Sequence, residues 1–219
     1  MPTDHPGFLP SENDPRMLER LLFSEGYSRI AGVDEAGRGP LAGPVTAAAV
    51  ILPADFINPG VRDSKSLSAA RREKLYQSII ERAAAWAVGE ACPEEIDRRN
   101  IRQATFSAMR RALDALPVEP DYVLVDGWDI PGLRCRQRSM FKGESQSISI
   151  AAASIVAKVT RDRQMIEYDS MYPGYGFGKH KGYGTREHMA AVRKFGPLPI
   201  HRLTFAGVKE HVGPDAPVR

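Results

Sequence analysis

The stretch that most constrains the fold is residues 29–40, where an apolar run ends on two adjacent carboxylates. Residues 30–33 are apolar, Asp34 and Glu35 follow, and the turn-forming segment Gly37-Arg38-Gly39-Pro40 comes directly after. Two ionised carboxylates this close repel each other in a low dielectric, so a positive charge is needed beside them, and a divalent metal ion is the usual partner. Taken alone, an Asp-Glu pair is also compatible with a solvated turn. The apolar runs on both sides favour a buried strand that delivers the two acids to a site.

A chain of 219 residues can bury a substantial core, and one domain, with or without an appendage, is expected. Hydrophobic residues at 42% and charged residues at 26% are typical of a globular protein. No apolar stretch approaches the ~20 residues needed to cross a bilayer, and residues 1–14 do not resemble a secretory signal. A cytoplasmic location without membrane association is therefore expected. The lone cysteines Cys92 and Cys135 fit a reducing compartment and argue against a zinc site.

The net charge of +3 is concentrated in the second half of the chain. Residues 121–219 contain 15 Lys and Arg against 10 Asp and Glu, whereas residues 1–120 contain 15 against 17. The excess lies in three clusters, at residues 134–142, 158–163 and 179–181. Such clusters suit a polyanionic partner, although any one of them taken alone is equally compatible with a solvated surface.

The hydrophobic pattern predicts an α/β fold. Strands are predicted at residues 29–34, 44–52, 85–91, 121–127 and 134–139, the last as an edge strand. Helices are predicted at residues 16–26, from Ser68 to about residue 86, from Pro93, from Asn100 to before Pro117, at 147–171, and from Thr185 to about residue 195. The first residues of the 147–171 helix also alternate as in a strand, so its start is ambiguous. Strands followed by alternating helices and strands indicate a mixed β-sheet with helices on its faces.

Carboxylates occur at the ends of two predicted strands and before the longest helix. Asp34 and Glu35 end the first strand, Asp126 ends the fourth, and Glu144 precedes the helix. Oxygen ligands from several segments, without His or Cys, select a hard cation such as Mg²⁺ or Mn²⁺. Four carboxylates around one point can hold two such ions ~3.5–4 Å apart, an arrangement that drives in-line phosphodiester hydrolysis.

Several ordered motifs make the chain resemble the ribonuclease HII family. The resemblance begins with Gly32-Val33-Asp34-Glu35-Ala36-Gly37-Arg38-Gly39-Pro40 and continues through residues 63–67, 125–127, 142–144 and 151–163. It then includes His180-Lys181-Gly182-Tyr183 and Pro199-Ile200-His201-Arg202, so it covers about residues 30–205. It implies an RNase H-like mixed β-sheet flanked by helices. In this interpretation residues 1–28 form a leader and short helix, 29–171 the catalytic core, and 172–219 a substrate-binding loop and a small C-terminal helical region.

The resemblance assigns the catalytic metal ligands. Asp34, Glu35 and Asp126 match three of the family's four acids, which implies two bound Mg²⁺ or Mn²⁺ ions. The fourth acid is usually an aspartate, where this chain has Glu144. The extra methylene moves the carboxylate by more than ~1 Å unless the backbone retreats, a misplacement that can reduce a rate roughly 10²-fold. The geometry of one metal site is therefore left open.

The resemblance also assigns substrate contacts. Gly37, Arg38 and Gly39 match the motif that reads the 2′-hydroxyl of a ribonucleotide, largely through backbone atoms, and glycines permit such close approach. A tight turn that needs glycine would explain the same residues. Tyr183 matches the tyrosine that stacks on the following sugar, although packing under a glycine-rich loop is the alternative. The candidate phosphate contacts are Lys65, Lys142 and Lys158.

The expected activity is hydrolysis of the RNA strand of RNA/DNA hybrids and cleavage 5′ of single ribonucleotides embedded in duplex DNA, leaving 3′-hydroxyl and 5′-phosphate ends. The expected partners are these nucleic acids, acted on by a monomer during ribonucleotide excision repair and DNA replication. The alternative is a non-catalytic hybrid-binding module in which Glu144 no longer supports the second metal. Asp162 is expected to pair with an arginine and His180 to be able to touch phosphate. The serines at 145–154 are expected to serve as caps and in packing.

Overall fold

In the computed structural model, which describes residues 16–58, 60–61 and 67–213, five strands form one mixed sheet. The strands are β1 (Ile30–Ala36), β2 (Val45–Ile51), β3 (Ala85–Ala91), β4 (Tyr122–Asp126) and β5 (Arg136–Met140). Their spatial order is β3-β2-β1-β4-β5, with β1/β2 and β2/β3 antiparallel and β1/β4 and β4/β5 parallel. The five predicted strands and the edge position of β5 are confirmed. Because β1 and β4 are adjacent and parallel, their acidic ends meet at the same edge of the sheet.

Helices cover both faces of the sheet. In the described ranges they are α1 (Met17–Ser24), α2 (Ala69–Arg82), α3 (Pro93–Arg99), α4 (Ile101–Asp114), α5 (Ile148–Met171), α6 (Phe177–His180) and α7 (Arg186–Phe195), with 3₁₀ turns at Gly143–Ser145 and Lys209–His211. Three predicted helix starts are confirmed by their caps, and the ambiguous start of the 147–171 helix is resolved by a fourth cap, because each capping side chain accepts the backbone N–H three residues later. These caps are Ser68, Asn100, Ser147 and Thr185.

The predicted end of α2 is wrong by about one turn. The helix ends at Arg82, and Ala83 already has an extended backbone with ψ 139°. The N–H of Ala84 donates to the carbonyl of Ile51 at 2.9 Å, and Trp86 pairs with Val50 in the sheet. Pairing with β2 thus ends a helix whose apolar periodicity continues in the sequence.

The alternation of side chains along β2 divides the core into two layers. Ala47 and Ala49 pack with α4 on one face, whereas Ala48 and Val50 pack with α2 and α5 on the other. Glycine is required at position 32 of β1, because a Cβ there would lie 2.0 Å from the backbone carbonyl carbon of Ser149. The absence of a side chain at this point lets the first turns of α5 lie directly on β1, beside its acidic end.

Residues 172–213 pack against the connection between β1 and β2. Tyr175 and Phe177 stack with ring centroids 5.5 Å apart and form a small core with Met165 of α5. Two backbone hydrogen bonds of 2.8 Å, donated by Leu41 and Gly43, join the connection to this C-terminal region. This region, predicted as a substrate-binding loop and a small helical region, packs around a core of its own and includes the one-turn helix α6.

Two predictions fall on residues outside the described ranges: the loose leader up to residue 15, and Lys65 as a phosphate contact. The division of the chain at residues 28 and 171 stays a prediction. Among the described residues, no helix combines the length and the apolar character that crossing a membrane requires.

Candidate active site

Asp34 and Glu35 leave β1 towards opposite faces of the sheet, because successive strand residues alternate. Asp34 lies on the α5 side, where the Ser154 side chain hydrogen-bonds to its carboxylate. Its Oδ1 also accepts the backbone N–H of Glu35 at 2.7 Å. Glu35 Oε1 lies 3.3 Å from Nη1 of Arg38. Ser154 thus contacts an acid of the site, a role in addition to the capping and packing expected for the serines at 145–154.

Asp126 and Glu144 meet Asp34 at the carboxyl ends of β1 and β4. Asp126 Oδ1 accepts the N–H of Gly143 at 2.7 Å, which fixes the 3₁₀ turn that carries Glu144. Glycine is required at position 143, since a Cβ there would lie 2.6 Å from Cδ1 of Ile150. One carboxylate oxygen from each of Asp34, Asp126 and Glu144 lies within 4.8 Å of the other two. Glu144 therefore reaches the other acids despite its extra methylene.

The electrostatics of these acids fit a bound cation. Burial, together with the charges of Glu35 and Asp126, raises the pKa of Asp34 well above its usual range. Burial also raises the pKa of Glu35, although Arg38 opposes the shift. Glu35 Oε2 is buried and has no hydrogen-bond partner among the described residues, an unfavourable state for a carboxylate oxygen. Buried, mutually repelling carboxylates without His or Cys in the group are the ligand set of a hard divalent cation such as Mg²⁺ or Mn²⁺.

An open cleft of about 380 Å³ beside the acids brings together most of the predicted substrate contacts. Its lining includes Glu35, Gly37, Arg38, Gly39, Ser154, Lys158 and Tyr183. Tyr183 is 47% exposed, and its ring lies 3.8 Å from the position of a Cβ on Gly39. The tyrosine ring is thus presented to the cleft next to the glycine loop instead of being packed beneath it.

The predicted lysine contacts differ in their surroundings. Lys158 lines the cleft, but its Nζ lies 2.6 Å from Oδ1 of Asp162 one turn later on α5. The prediction that Asp162 pairs with an arginine is therefore wrong. Lys142 is exposed at the start of the turn that carries Glu144, where its φ of 57° lies in the left-handed region. A partly exposed ion pair such as Lys158–Asp162 contributes little to stability, so the lysine can exchange its partner for a phosphate.

Two buried arginines fix the connection between β1 and β2, and neither was assigned a role from the sequence. The guanidinium of Arg202 donates to the backbone carbonyls of Gly37, Arg38 and Gly43. The guanidinium of Arg161 donates, at 3.0 Å each, to the carbonyls of Ala42, Pro44 and Lys181. Burial lowers the pKa of Arg202 to about 9, which leaves it charged at neutral pH. In the sequence, both arginines lie within the motifs at 151–163 and 199–202 that carry the family resemblance. That position was the signal that could have pointed to a role for them.

Three histidines form a buried cluster behind this loop. His180 Nε2 bonds to the carbonyl of Tyr175 at 2.8 Å, and its Nδ1 accepts the N–H of Gly182 at 3.2 Å. Because both ring nitrogens are engaged, the prediction that His180 can touch phosphate is wrong. The rings of His180 and His188 stack with centroids 4.5 Å apart, and Nε2 of His188 lies 3.0 Å from Nε2 of His201. These histidines hold the C-terminal region together.

A mixed five-stranded sheet flanked by helices, with carboxylates at the ends of two adjacent parallel strands, is the architecture of the ribonuclease H-like nucleases. Comparison with known proteins identifies the family within this class. Residues 31–208 match the family model of Ribonuclease HII. The Ribonuclease HII of Geobacter metallireducens is 59% identical over 197 residues, which cover 90% of this chain and 92% of that relative. The chain belongs to the ribonuclease HII family and is a ribonuclease H endonuclease that acts on RNA/DNA hybrids.

Solved structures agree with this assignment. The ribonuclease H2 from Pyrococcus horikoshii OT3 gives a TM-score of 0.71 at 28% sequence identity, covering 83% of this chain and 96% of that one. Bst-RNase HIII, solved in complex with Mn²⁺, gives a TM-score of 0.64 at 21% identity, covering 84% of this chain and 69% of that one. The second similarity is one of fold alone.

Proposed function

We propose that this ribonuclease H hydrolyses the RNA strand of RNA/DNA hybrids and also cuts 5′ of single ribonucleotides embedded in duplex DNA. The observation that carries the proposal is a juxtaposition. The carboxylates of Asp34, Asp126 and Glu144 converge within 4.8 Å, next to a cleft lined by the Gly37–Gly39 loop and Tyr183. The acids that would cleave the phosphodiester thus lie next to the surface that would contact the neighbouring sugar.

The acids act by holding cations. Asp34, Asp126 and Glu144 are close enough to share one divalent ion, and Glu35 contributes a buried oxygen without a hydrogen-bond partner to a second. Mg²⁺ or Mn²⁺ held by these acids would supply Lewis-acid chemistry at the cut phosphate, where attack of water on phosphorus and departure of the 3′-oxygen would leave 3′-hydroxyl and 5′-phosphate ends. The structural relative solved with Mn²⁺ supports a divalent ion of this kind. Ser154 orients the Asp34 carboxylate through its hydrogen bond.

The glycine loop selects the sugar. The 2′-hydroxyl is the group that distinguishes a ribonucleotide from a deoxyribonucleotide. Gly39 is exposed in the cleft, and Arg202 holds the loop in place from behind through the carbonyl oxygens of Gly37 and Arg38. A backbone that is already fixed loses little entropy when it binds the hydroxyl. Tyr183 lies beside Gly39 and presents a ring face to the next sugar along the strand.

The substitution Asp34→Asn tests the catalytic role of the acids. It removes a charge from the ligand group but keeps the shape of the side chain, so turnover is expected to fall by at least roughly 10³-fold while duplex binding is retained. Cleavage and binding are measured on a duplex with one embedded ribonucleotide and on an RNA/DNA hybrid, in Mg²⁺ and in Mn²⁺. Asp114→Asn, exposed at the end of α4, is the matched control and should behave as wild type.

The rival function is a binding module without catalysis. If the wild-type chain binds both duplexes but cuts neither with either metal, the catalytic proposal is wrong. If it cuts the hybrid but not the single embedded ribonucleotide, the sugar-selective part is wrong. The proposal further includes a monomeric cytoplasmic enzyme that acts in ribonucleotide excision repair and DNA replication, and the unpaired cysteines Cys92 and Cys135 are consistent with a reducing compartment.

A further inference from the structure

Two exposed aromatic side chains form a pair beside the acids, and the proposed function gives them no role. Trp128 follows the last residue of β4 by two positions, and Phe141 follows the last residue of β5. Their ring centroids are 5.3 Å apart with the planes at 89°, and the side chains are 40% and 65% exposed. Exposed apolar rings at the rim of a site are the usual mark of a binding surface. We call Trp128 and Phe141 the aromatic pair.

The order of the strands places this pair on the far side of the acids from Tyr183. The Gly37–Gly39 loop and Tyr183 lie at the connection between β1 and β2. Asp34 and Asp126 end β1 and β4, which are adjacent in the order β3-β2-β1-β4-β5. Trp128 follows β4, and Phe141 follows the edge strand β5, on the side of the sheet away from β2. A strand of nucleic acid that passes over the acids from Tyr183 therefore continues across Trp128 and Phe141.

The aromatic pair adjoins the catalytic cleft, and two arginines beside it provide positive charge. Trp128 lines a small crevice together with Glu35, Arg38 and Asp126. The guanidinium carbons of Arg38 and Arg102 lie 5.2 and 5.4 Å from the centroid of the Trp128 ring. Apolar rings flanked by arginines are suited to nucleic acid, where a ring meets a sugar or base and the cation meets a phosphate.

We propose that Trp128 and Phe141 bind the nucleotides on the 5′ side of the cut phosphate, through the apolar faces of their sugars. The proposal rests on the proposed function, because the direction follows from Tyr183 contacting the sugar on the 3′ side of the ribonucleotide. In a duplex the faces of paired bases are covered by their neighbours, so the sugar rings of the substrate strand are the apolar surfaces that remain exposed. Arg38 and Arg102 bind the phosphates between those sugars.

A structural role for Trp128 makes a different prediction. Arg38 contacts both Trp128 and Glu35, so Trp128 could act only by positioning Arg38 beside the acid. In that case Phe141, which contacts the Trp128 ring, would have no effect of its own on the substrate. Any effect of Trp128 would then fall on kcat and would not depend on which nucleotides precede the cut.

The test uses Trp128→Ala and Phe141→Ala with a duplex that contains one ribonucleotide. The nucleotides at the second and third positions before the cut are either normal, abasic, or replaced by propyl spacers that keep the phosphates but remove the sugars, and the nucleotide that carries the departing 3′-oxygen is left unchanged. For the wild type, KM is expected to rise roughly 10-fold with the spacers and to change little with abasic sugars. Each variant is expected to raise KM roughly 10-fold on the normal substrate, with kcat nearly unchanged, and to show no further loss with the spacers.

Conservative and remote variants complete the set. Trp128→Phe keeps a ring and should restore most of the affinity lost in Trp128→Ala. Spacers placed several nucleotides beyond the ribonucleotide on its 3′ side should affect wild type and variants equally. Because both rings are exposed, neither variant should lower the melting temperature, which circular dichroism checks.

Fluorescence gives a second measurement that does not depend on turnover. The chain has two tryptophans, and Trp86→Phe leaves Trp128 as the single reporter. In an Asp34→Asn background, binding of the normal duplex should quench Trp128, and binding of the spacer duplex should not.

Three outcomes would overturn the proposal: an unchanged KM in both variants, an equal spacer effect in wild type and variants, or a loss confined to kcat in Trp128→Ala. Wild-type cleavage of the normal substrate is measured in the same series. Its absence would contradict the proposed function, whereas normal cleavage with any of these three outcomes contradicts only the role of the aromatic pair.

Discussion

Glu144 illustrates how a single side chain is adjusted by its backbone. Its turn begins at Lys142, whose φ of 57° is in the left-handed region, and is joined to Asp126 by the 2.7 Å hydrogen bond from Gly143. This arrangement sets the backbone at a distance from which a glutamate reaches the other acids. The longer side chain and the position of the turn are therefore matched to each other.

Glu144→Asp should consequently be harmful, although aspartate is the residue that the family resemblance leads one to expect at this position. The shorter side chain withdraws the carboxylate by roughly 1 Å, and the fixed turn cannot follow, so kcat is expected to fall roughly 10- to 100-fold. Duplex affinity should be unchanged. Steady-state kinetics in Mg²⁺ and Mn²⁺ measure the effect, with Glu144→Gln as a variant that keeps the length and removes the charge. Wild-type turnover in Glu144→Asp would mean that the turn moves freely.

At the residue scale the sequence was most informative where a motif fixes the chemistry. Asp34, Glu35, Asp126 and Glu144 were predicted to converge; the structure groups Asp34, Asp126 and Glu144, whereas Glu35 lies beside Arg38. Ser154 was not singled out, because its role depends on the close approach of α5 to β1 at Gly32. That approach is a tertiary contact, and the periodicity of a single helix does not predict it.

The connection between β1 and β2 is the element on which the proposed selection of the sugar depends. It is short and rich in glycine, and its own hydrogen bonds do not hold it. Arg161 and Arg202 supply the donors instead, and both come from later parts of the chain. Since five carbonyl oxygens of the connection accept hydrogen bonds from these two side chains, the shape of the loop depends on residues more than 100 positions away.

Arg202→Met is expected to loosen this element. It leaves the inward carbonyls of Gly37, Arg38 and Gly43 without their donor, and a buried group left unsatisfied costs about 1–3 kcal/mol. We expect a loss of roughly 3 kcal/mol in the free energy of unfolding, measured by urea denaturation. The ratio of cleavage rates for embedded-ribonucleotide and all-DNA duplexes should also fall. The exposed Arg186 provides the control Arg186→Met, and equal behaviour of the two variants would contradict the role of Arg202.

Elements were predictable where local signals decide them and less so where pairing decides them. The caps at Ser68, Asn100 and Thr185 were visible in the sequence because capping acts over three residues. The end of α2 was not visible, because the sheet partner of Trp86 lies 36 positions earlier at Val50. Side-chain roles such as those of Arg161 and Arg202 depend on contacts of this long-range kind.

At the scale of the whole molecule, the C-terminal region closes over the loop that the core presents. Its interior contains the histidine cluster, and the hydrogen bonds identify which ring nitrogen of His188 and of His201 carries the proton. The N–H of Leu198 donates to Nδ1 of His201, so His201 carries its proton on Nε2 and donates it to His188. His188 in turn donates from Nδ1 to the carbonyl of Tyr183, at 2.9 Å. This chain of hydrogen bonds requires both rings to be neutral. A second proton on either ring would place two N–H donors opposite each other with no acceptor between them.

The molecule should therefore lose stability in mild acid through this cluster. Burial, and secondly His188, lowers the pKa of His201 from 6.5 to about 4. A base with a lowered pKa contributes fully above the unfolded value of 6.5, and this contribution is lost progressively as the pH falls towards 4. One group with this shift accounts for about 2 kcal/mol by pH 5. Urea denaturation between pH 7.5 and pH 4.5 measures the loss.

His201→Gln isolates the contribution of this group, because glutamine keeps a donor and an acceptor but does not titrate. The variant should be less stable than wild type at pH 7.5, and its stability should fall less steeply with pH. His211→Gln, in the 3₁₀ turn outside the cluster, should keep the wild-type slope. Since the proton chain ends on the carbonyl of Tyr183, cleavage by the wild type should weaken in the same pH range as the C-terminal region loosens. Parallel pH slopes in wild type and His201→Gln would show that the acid sensitivity arises elsewhere in the molecule.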